Sequence, residues 1–299
     1  MIQTEILRFL TSLQGPVLDS IAQVLTFLGN EEFYFLLIPL IFWCIHKQVG
    51  FQLFYIFLLS MYVNAFLKIT FAVPRPIGVE GVQSLFVSSA EVGSHYPNDS
   101  FPSGHAQGST TLWAYIAAVV RKPWFYAFAA VLILLIAVSR LYTGLHWPLD
   151  VLAGIALGVA FVAIGLFISA KVQKLPAFIV WTIIFILPIA LVIFLPATEG
   201  YQYGGILLGA SVGYMLERQT SNFTTSQSFG RKVVAYVIGI LFTFGIQVGG
   251  KELLPATVEA DAIRYGFIGL WITLLWPWSL VKLSIYKSGD SKKRRKKTR

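Results

Sequence analysis

Apolar residues run through this chain in long continuous blocks, broken at helix-length intervals by glycine, proline or clusters of charge. No two-residue alternation runs through the blocks. They therefore predict helices in lipid, where a helix satisfies its own backbone hydrogen bonds, rather than the strands of a membrane barrel. The blocks place nine transmembrane helices at residues 31–46, 50–71, 104–120, 124–141, 149–170, 177–195, 201–216, 232–249 and 262–281. Several fall short of the roughly 20 residues that a bilayer core asks of a helix. Ahead of them, Ile2, Ile6, Leu7, Phe9, Leu10 and Leu13 fit a helix lying along the membrane surface. The expected fold is all-α: a polytopic membrane helix bundle of about nine transmembrane helices with an N-terminal interfacial helix. Its divisions are an interfacial segment at 1–30, a five-span core at 31–170, a four-span bundle at 171–286 and a basic tail at 287–299.

Composition removes the competing classes. Charged residues make up 12% of the chain and apolar ones 56%, with a mean hydropathy of +0.71, whereas an ordinary soluble domain carries about 25% charged residues. Aromatic content of 15%, glycine without a three-residue period and a single cysteine, Cys44, exclude disorder, a collagen repeat and a disulfide scaffold. Cys44 reads as a small buried residue of a membrane helix. Residues 1–28 lack the order of a signal peptide.

The net charge of +9 is concentrated rather than spread, because eight of the 23 basic residues lie between Lys287 and Arg299. Such a juxtamembrane run anchors topology and meets anionic lipid, and nucleic acid is not the expected partner. An odd number of spans puts the termini on opposite sides. Seventeen of the 23 basic residues then share one face, which the positive-inside rule makes cytoplasmic together with the C-terminus. The outer face receives Arg8, Lys68, Arg75, Arg140, Lys251 and Arg264, along with most acidic residues, among them Glu80, Glu91, Asp99 and Asp261. The longest connection, 72–103, lies there too, and loops of that length are commonly functional.

Three of those outer cations stand at span ends beside other reactive groups. Lys68 ends the second span and Arg75-Pro76 follows; Pro102-Ser103-Gly104-His105 opens the third; Ser139-Arg140 ends the fourth; His146 and Asp150 open the fifth. Charge held at a membrane boundary is a functional hypothesis by default. Lys68, Arg75 and Arg140 match the charge of a phosphate, and Ser103-Gly104 at a helix start offers backbone N–H groups to an anion. Two histidines, His105 and His146, permit one to attack phosphorus while the other protonates the departing oxygen. Asp150 lies four residues beyond His146, so one helical turn is expected to bring its carboxylate to the ring nitrogen not used for attack.

These segments read Lys-x6-Arg-Pro, Pro-Ser-Gly-His and Ser-Arg-x5-His-x3-Asp, which resembles the complete tripartite signature of the type 2 phosphatidic acid phosphatase family. The resemblance implies that His146 is the nucleophile that forms a phosphohistidine, Asp150 its partner and His105 the general acid. It further implies that Lys68, Arg75, Ser103, Gly104 and Arg140 bind phosphate and that neither metal nor cofactor takes part. It covers roughly residues 30–170. Nine spans, an outer N-terminus and Leu28-Gly29-Asn30-Glu31-Glu32-Phe33-Tyr34 are similar to the glucose-6-phosphatase and sphingosine 1-phosphate phosphatase branches. The expectation is a membrane phosphatase of a lipid phosphate or polyprenyl pyrophosphate, with its site on the outer face of a bacterial plasma membrane. An endoplasmic reticulum protein would show the same lumenal orientation. A phosphatase of a soluble sugar phosphate and a non-enzymatic phospholipid transporter are the alternatives.

Overall fold

The structure, a computed structural model, describes residues 2–87, 97–172 and 174–289. Glu91 and the basic tail from Asp290 onward lie outside the described residues. Among the described residues all regular elements are helical, apart from one isolated bridge between Phe223 and Ser288. In chain order they are α1 (Ile2–Thr11), α2 (Pro16–Phe27), α3 (Glu31–Leu40), α4 (Lys47–Phe71), α5 (Gly104–Val120), α6 (Pro123–Tyr142), α7 (Pro148–Val172), α8 (Ala177–Phe194), α9 (Thr198–Gln219), α10 (Phe229–Leu253), α11 (Val258–Leu270) and α12 (Trp276–Lys282). Turns of π-helix follow α3 at Ile41–Ile45 and α11 at Trp271–Leu275.

Among the described residues five helices, α4, α6, α7, α8 and α10, are long and apolar enough to cross a bilayer, and a sixth crossing arises if α2 and α3 with its π turn, bent by 50°, count as one. The other apolar blocks are helical but shorter, more polar or interrupted. The α5 helix has 17 residues, α9 carries Glu199, Glu217 and Arg218, and α11 gives way to its π turn. The N-terminal segment folds as two helices instead of one. Gly15 is extended and Pro16, whose missing N–H costs nothing at a helix start, opens α2. Ile2, Ile6 and Phe9 of α1 are exposed, whereas Leu7 and Thr11 are buried.

The chain forms two compact units: Met1–Phe35 with Ile56–Ala170, and Leu36–Tyr55 with Lys171–Arg299. In the first, polar residues turn inward while leucine, valine and phenylalanine at Leu134, Val138 and Phe167 face outward, the inverse of a soluble protein. A polar seam joins α4 to α5. Gln107 Nε2 donates to the Ser60 carbonyl at 2.7 Å, Ser60 and Thr111 share a hydroxyl bond of 3.0 Å, and Asn64 Nδ2 donates to Gln107 Oε1 at 2.9 Å. Hydrogen bonds and small residues hold membrane helices together where lipid removes the hydrophobic drive. The α7 helix approaches α5 through Gly154 and Gly158, where an added Cβ would stand 2.7 Å from the Ser103 carbonyl oxygen and 2.6 Å from Thr110 Cβ. That close approach fixes the 102–105 turn against the start of α7.

The second unit packs α9 on α11 by the same means. A Cβ at Gly205 or Gly209 would fall 2.2 or 1.9 Å from backbone oxygens of Ala262 and Gly266. Its buried Glu217 is paired with Lys47 and accepts from the Phe223 N–H at 2.6 Å and the Ser221 hydroxyl at 3.0 Å.

Candidate active site

The predicted site residues all belong to the first unit, and the ends of α4, α5, α6 and α7 together with the 72–103 loop deliver them. The loop is tied at its roots: Ser100 N donates to the Val73 carbonyl and Arg75 N to the Pro97 carbonyl, each at 3.0 Å. Trp147 Nε1 donates to the Pro74 carbonyl at 3.0 Å, and Ser103 N to the Asp150 carbonyl at 3.0 Å. Segments distant in sequence are thereby laced around one place.

His146 lies in the connection between α6 and α7 and is buried. Its Nδ1 stands 2.9 Å from the Ser100 carbonyl oxygen and its Nε2 stands 3.3 Å from Arg75 Nη1. A carbonyl only accepts and a guanidinium only donates, so the pair fixes the neutral tautomer with the proton on Nδ1 and the lone pair on Nε2. Burial, and then the charges of Arg75, Lys68 and Arg140, push the imidazole well below its ordinary pKa and keep it neutral.

Asp150 is not where helical spacing puts it. Its Oδ2 is 3.7 Å from His146 Nδ1, beyond hydrogen-bond reach, and instead accepts from the Ser100 hydroxyl at 2.5 Å and the Trp147 N–H at 2.8 Å. The one-turn argument fails because α7 begins at Pro148, which leaves His146 outside the helix. Asp150 then reaches back across the first turn as a cap.

Arg75 is clamped by Asp99, which accepts from Nε at 2.7 Å and from Nη2 at 3.0 Å, while Nη1 donates to the Leu145 carbonyl at 3.0 Å. Lys68 donates to the Asp99 backbone carbonyl. Burial alone would raise the Asp99 carboxyl, but the Arg75 hydrogen bonds and the Lys68 charge outweigh it and hold it below the usual carboxylate range. Arg140 is buried. Its Nη1 donates to Thr26 Oγ1 at 3.0 Å, and its Nε has no hydrogen-bond partner among the described residues. Ser103 precedes Gly104, the first residue of α5. Its hydroxyl is also buried without a partner among the described residues and makes no cap bond. Buried donors left unmatched are costly, and a ligand rich in oxygen acceptors would satisfy both. His105 Nε2 stands 2.7 Å from Asn30 Oδ1. Among the described residues no group of three or more His, Cys, Asp or Glu is placed to hold a metal ion.

Asp99, Ser100, Thr26 and Asn30 were not predicted as site residues. Asp99 shares a loop with Arg75, and Ser100 lies three residues before Ser103, so nearness to the motif was the available signal. Nothing in the order of residues announces Thr26.

Residues 49–174 match the PAP2 superfamily, and residues 201–288 match the PAP2 superfamily phosphatase transmembrane extension. The chain thus carries a PAP2 superfamily domain followed by the PAP2 transmembrane extension. It is 26% identical to lipid phosphate phosphatase delta of Arabidopsis thaliana over 218 residues, which are 67% of this chain and 51% of that one. It is 33% identical to sphingosine-1-phosphate phosphatase 1 of Mus musculus over 43% of this chain and 30% of that one, and 28% identical to undecaprenyl-diphosphatase of Sulfolobus acidocaldarius over 43% and 60%. The chain thus spans 30% to 60% of the length of these three relatives. The second PAP2 match covers α9 to α12, where the sequence showed no motif.

Proposed function

We propose that this protein is an integral membrane phosphatase that removes phosphate from a lipid phosphate or polyprenyl diphosphate through a phosphohistidine on His146. The observation that carries the reading is the state of that imidazole: Nδ1–H is committed to the Ser100 carbonyl, and the Nε2 lone pair meets Arg75 in a positive setting. Nε2 attacks phosphorus, a P–N bond forms as the bond to the leaving oxygen breaks, and His105 gives that oxygen a proton. Water then attacks the phosphohistidine and passes its proton to His105, and Nε2 departs with the bonding pair as inorganic phosphate leaves. Lys68, Arg75, Arg140, the Ser103 hydroxyl and the start of α5 at Gly104 stabilise the charge on the phosphoryl oxygens. Asp150 acts through Ser100 and Trp147.

Several features support a lipid substrate. The catalytic groups sit at helix ends, where a head group arrives from the side, and the relatives are named for lipid phosphates or diphosphates. The charge asymmetry supports nine crossings, a surface helix at the N-terminus, an outward-facing site and a cytoplasmic C-terminus, in a bacterial plasma membrane. In this reading residues 31–170 are the phosphatase core and 171–286 an accompanying bundle.

The test is phosphate release by the purified protein from sphingosine 1-phosphate, phosphatidate, phosphatidylglycerol phosphate, undecaprenyl diphosphate and glucose 6-phosphate, with His146→Ala as control. Release from at least one lipid, absent in the variant, is expected. Turnover of glucose 6-phosphate alone would move the assignment to a soluble sugar phosphate. Lipid binding with no release from any substrate would leave a transporter.

A further inference from the structure

The last turn of α2 and the segment that joins it to α3 lie outside the residues that match the PAP2 superfamily, yet they enter the site at two points. Thr26 receives Arg140, and the buried Asn30 receives His105. Between them Gly29 lies against the imidazole: a Cβ at this position would stand 3.0 Å from His105 Cδ2, 3.3 Å from His105 Cβ and 3.1 Å from Ile136 Cγ2. The turn is therefore seated on the ring, and only a residue without a side chain at position 29 allows it to come so close.

An imidazole that serves as an acid must hold a proton on the nitrogen that faces the leaving oxygen, and as an imidazolium it holds one on the other nitrogen too. The Asn30 amide oxygen faces Nε2 at 2.7 Å and can only accept. It keeps that nitrogen protonated and leaves Nδ1 for the substrate. The charged groups that act on the ring are Arg140 of α6, Lys68 of α4 and Arg75 of the loop, all cationic, with the neutral His146 beside them. Glu31 and Glu32, in the first turn of α3, are exposed.

We propose that Asn30 is a positioning residue for proton transfer: its side-chain carbonyl orients His105 and stabilises the imidazolium that delivers the proton to the leaving oxygen. The relationship is that of a carboxylate to a catalytic histidine, made with a neutral acceptor. It rests on the phosphatase reading and deepens it, because it assigns part of the acid's function to the N-terminal segment.

The experiment uses the full-length protein and compares a lipid phosphate that the wild type turns over with p-nitrophenyl phosphate, whose leaving group departs without being protonated. Asn30→Ala should lower kcat on the lipid about 10- to 100-fold, a part of the roughly 10²–10⁴-fold that general acid catalysis supplies, and move the basic limb of its pH profile to lower pH. In the pre-steady-state burst of p-nitrophenolate, which reads the phosphorylation step alone, the loss should be no more than about 3-fold, since acid assistance is not needed there. Asn30→Asp has the same shape and a stronger acceptor, so it should restore most of the rate and move the basic limb to higher pH. In a His105→Ala background Asn30→Ala should add no further loss. Equal losses on both substrates with an unmoved basic limb, or losses that multiply in the double variant, would overturn the inference. A wild type that releases phosphate from no substrate would instead overturn the phosphatase reading and this inference with it.

Discussion

Ser100 holds His146 by its backbone and Asp150 by its side chain: its carbonyl oxygen is 2.9 Å from His146 Nδ1, and its hydroxyl donates to Asp150 Oδ2 at 2.5 Å. The carboxylate thus reaches the histidine through an intervening residue. A main-chain carbonyl is fixed by the fold, so the tautomer of His146 does not depend on the charge of Asp150. What Asp150 governs is the placement of Ser100 and of the Trp147 N–H at the mouth of α7.

Both donors meet the same oxygen of Asp150, so Asp150→Asn keeps an acceptor for both but loses the charge that strengthens the bonds, whereas Asp150→Ala leaves both unmatched. Loss of a hydrogen bond to a buried charged group is worth about 1.5–3 kcal/mol, so Asp150→Asn should slow turnover about 10-fold and Asp150→Ala about 100-fold. Ser100→Ala keeps the carbonyl and should fall closer to the milder variant. Steady-state kcat on the preferred lipid measures all three, and a loss of about 10⁴-fold in Asp150→Asn would point to direct control of the tautomer.

The depressed pKa of His146 has a definite sign for catalysis. The nucleophile is active when neutral, so lowering the pH to the ordinary imidazole value near 6.5 leaves it unprotonated, and the acid limb of kcat/KM lies below that value. Arg75→Gln removes the cation 3.3 Å from Nε2 and lets the ring protonate more readily, which moves the acid limb upward. The substrate phosphate also titrates near 6, so the informative quantity is the difference between variant and wild-type profiles on one substrate.

Lys68 donates to the Asp99 backbone, and in the proposed reading it meets a phosphate beside Arg75. Lys68→Ala should act mainly on capture, raising KM about 10-fold for a lost charge-assisted bond of about 1.5 kcal/mol or more, with a smaller fall in kcat. Initial rates over a substrate series separate the two effects.

The contact of Gly154 with the Ser103 carbonyl predicts a structural cost. In Gly154→Val the Cβ would begin 2.7 Å from that oxygen and 3.1 Å from Ala106 Cβ. Overpacking of this kind costs about 1–3 kcal/mol, and the displaced 102–105 turn should carry activity down with it. Thermal unfolding in detergent checks this against Gly245→Ala, where the new Cβ meets nothing within 4 Å and no loss is expected.

Much of this protein is present in the order of its residues. Continuous apolar blocks dictate helices because lipid offers the backbone no other partner, and the residue types at Lys68, Arg75, His105, Arg140, His146 and Asp150 point to the proposed chemistry because they are what a phosphoryl group requires. Tertiary structure decided what spacing cannot carry. Proline at 148 sets the start of α7 and takes His146 out of the helical register, so its partner became the carbonyl of Ser100, a backbone group that no side-chain motif encodes. Asp99 and Asn30 were invisible as partners for the same reason: which donor meets which acceptor depends on where residues 72–75 and 97–103 and the α2–α3 turn are set against the helix ends, and that placement is a property of packing in three dimensions.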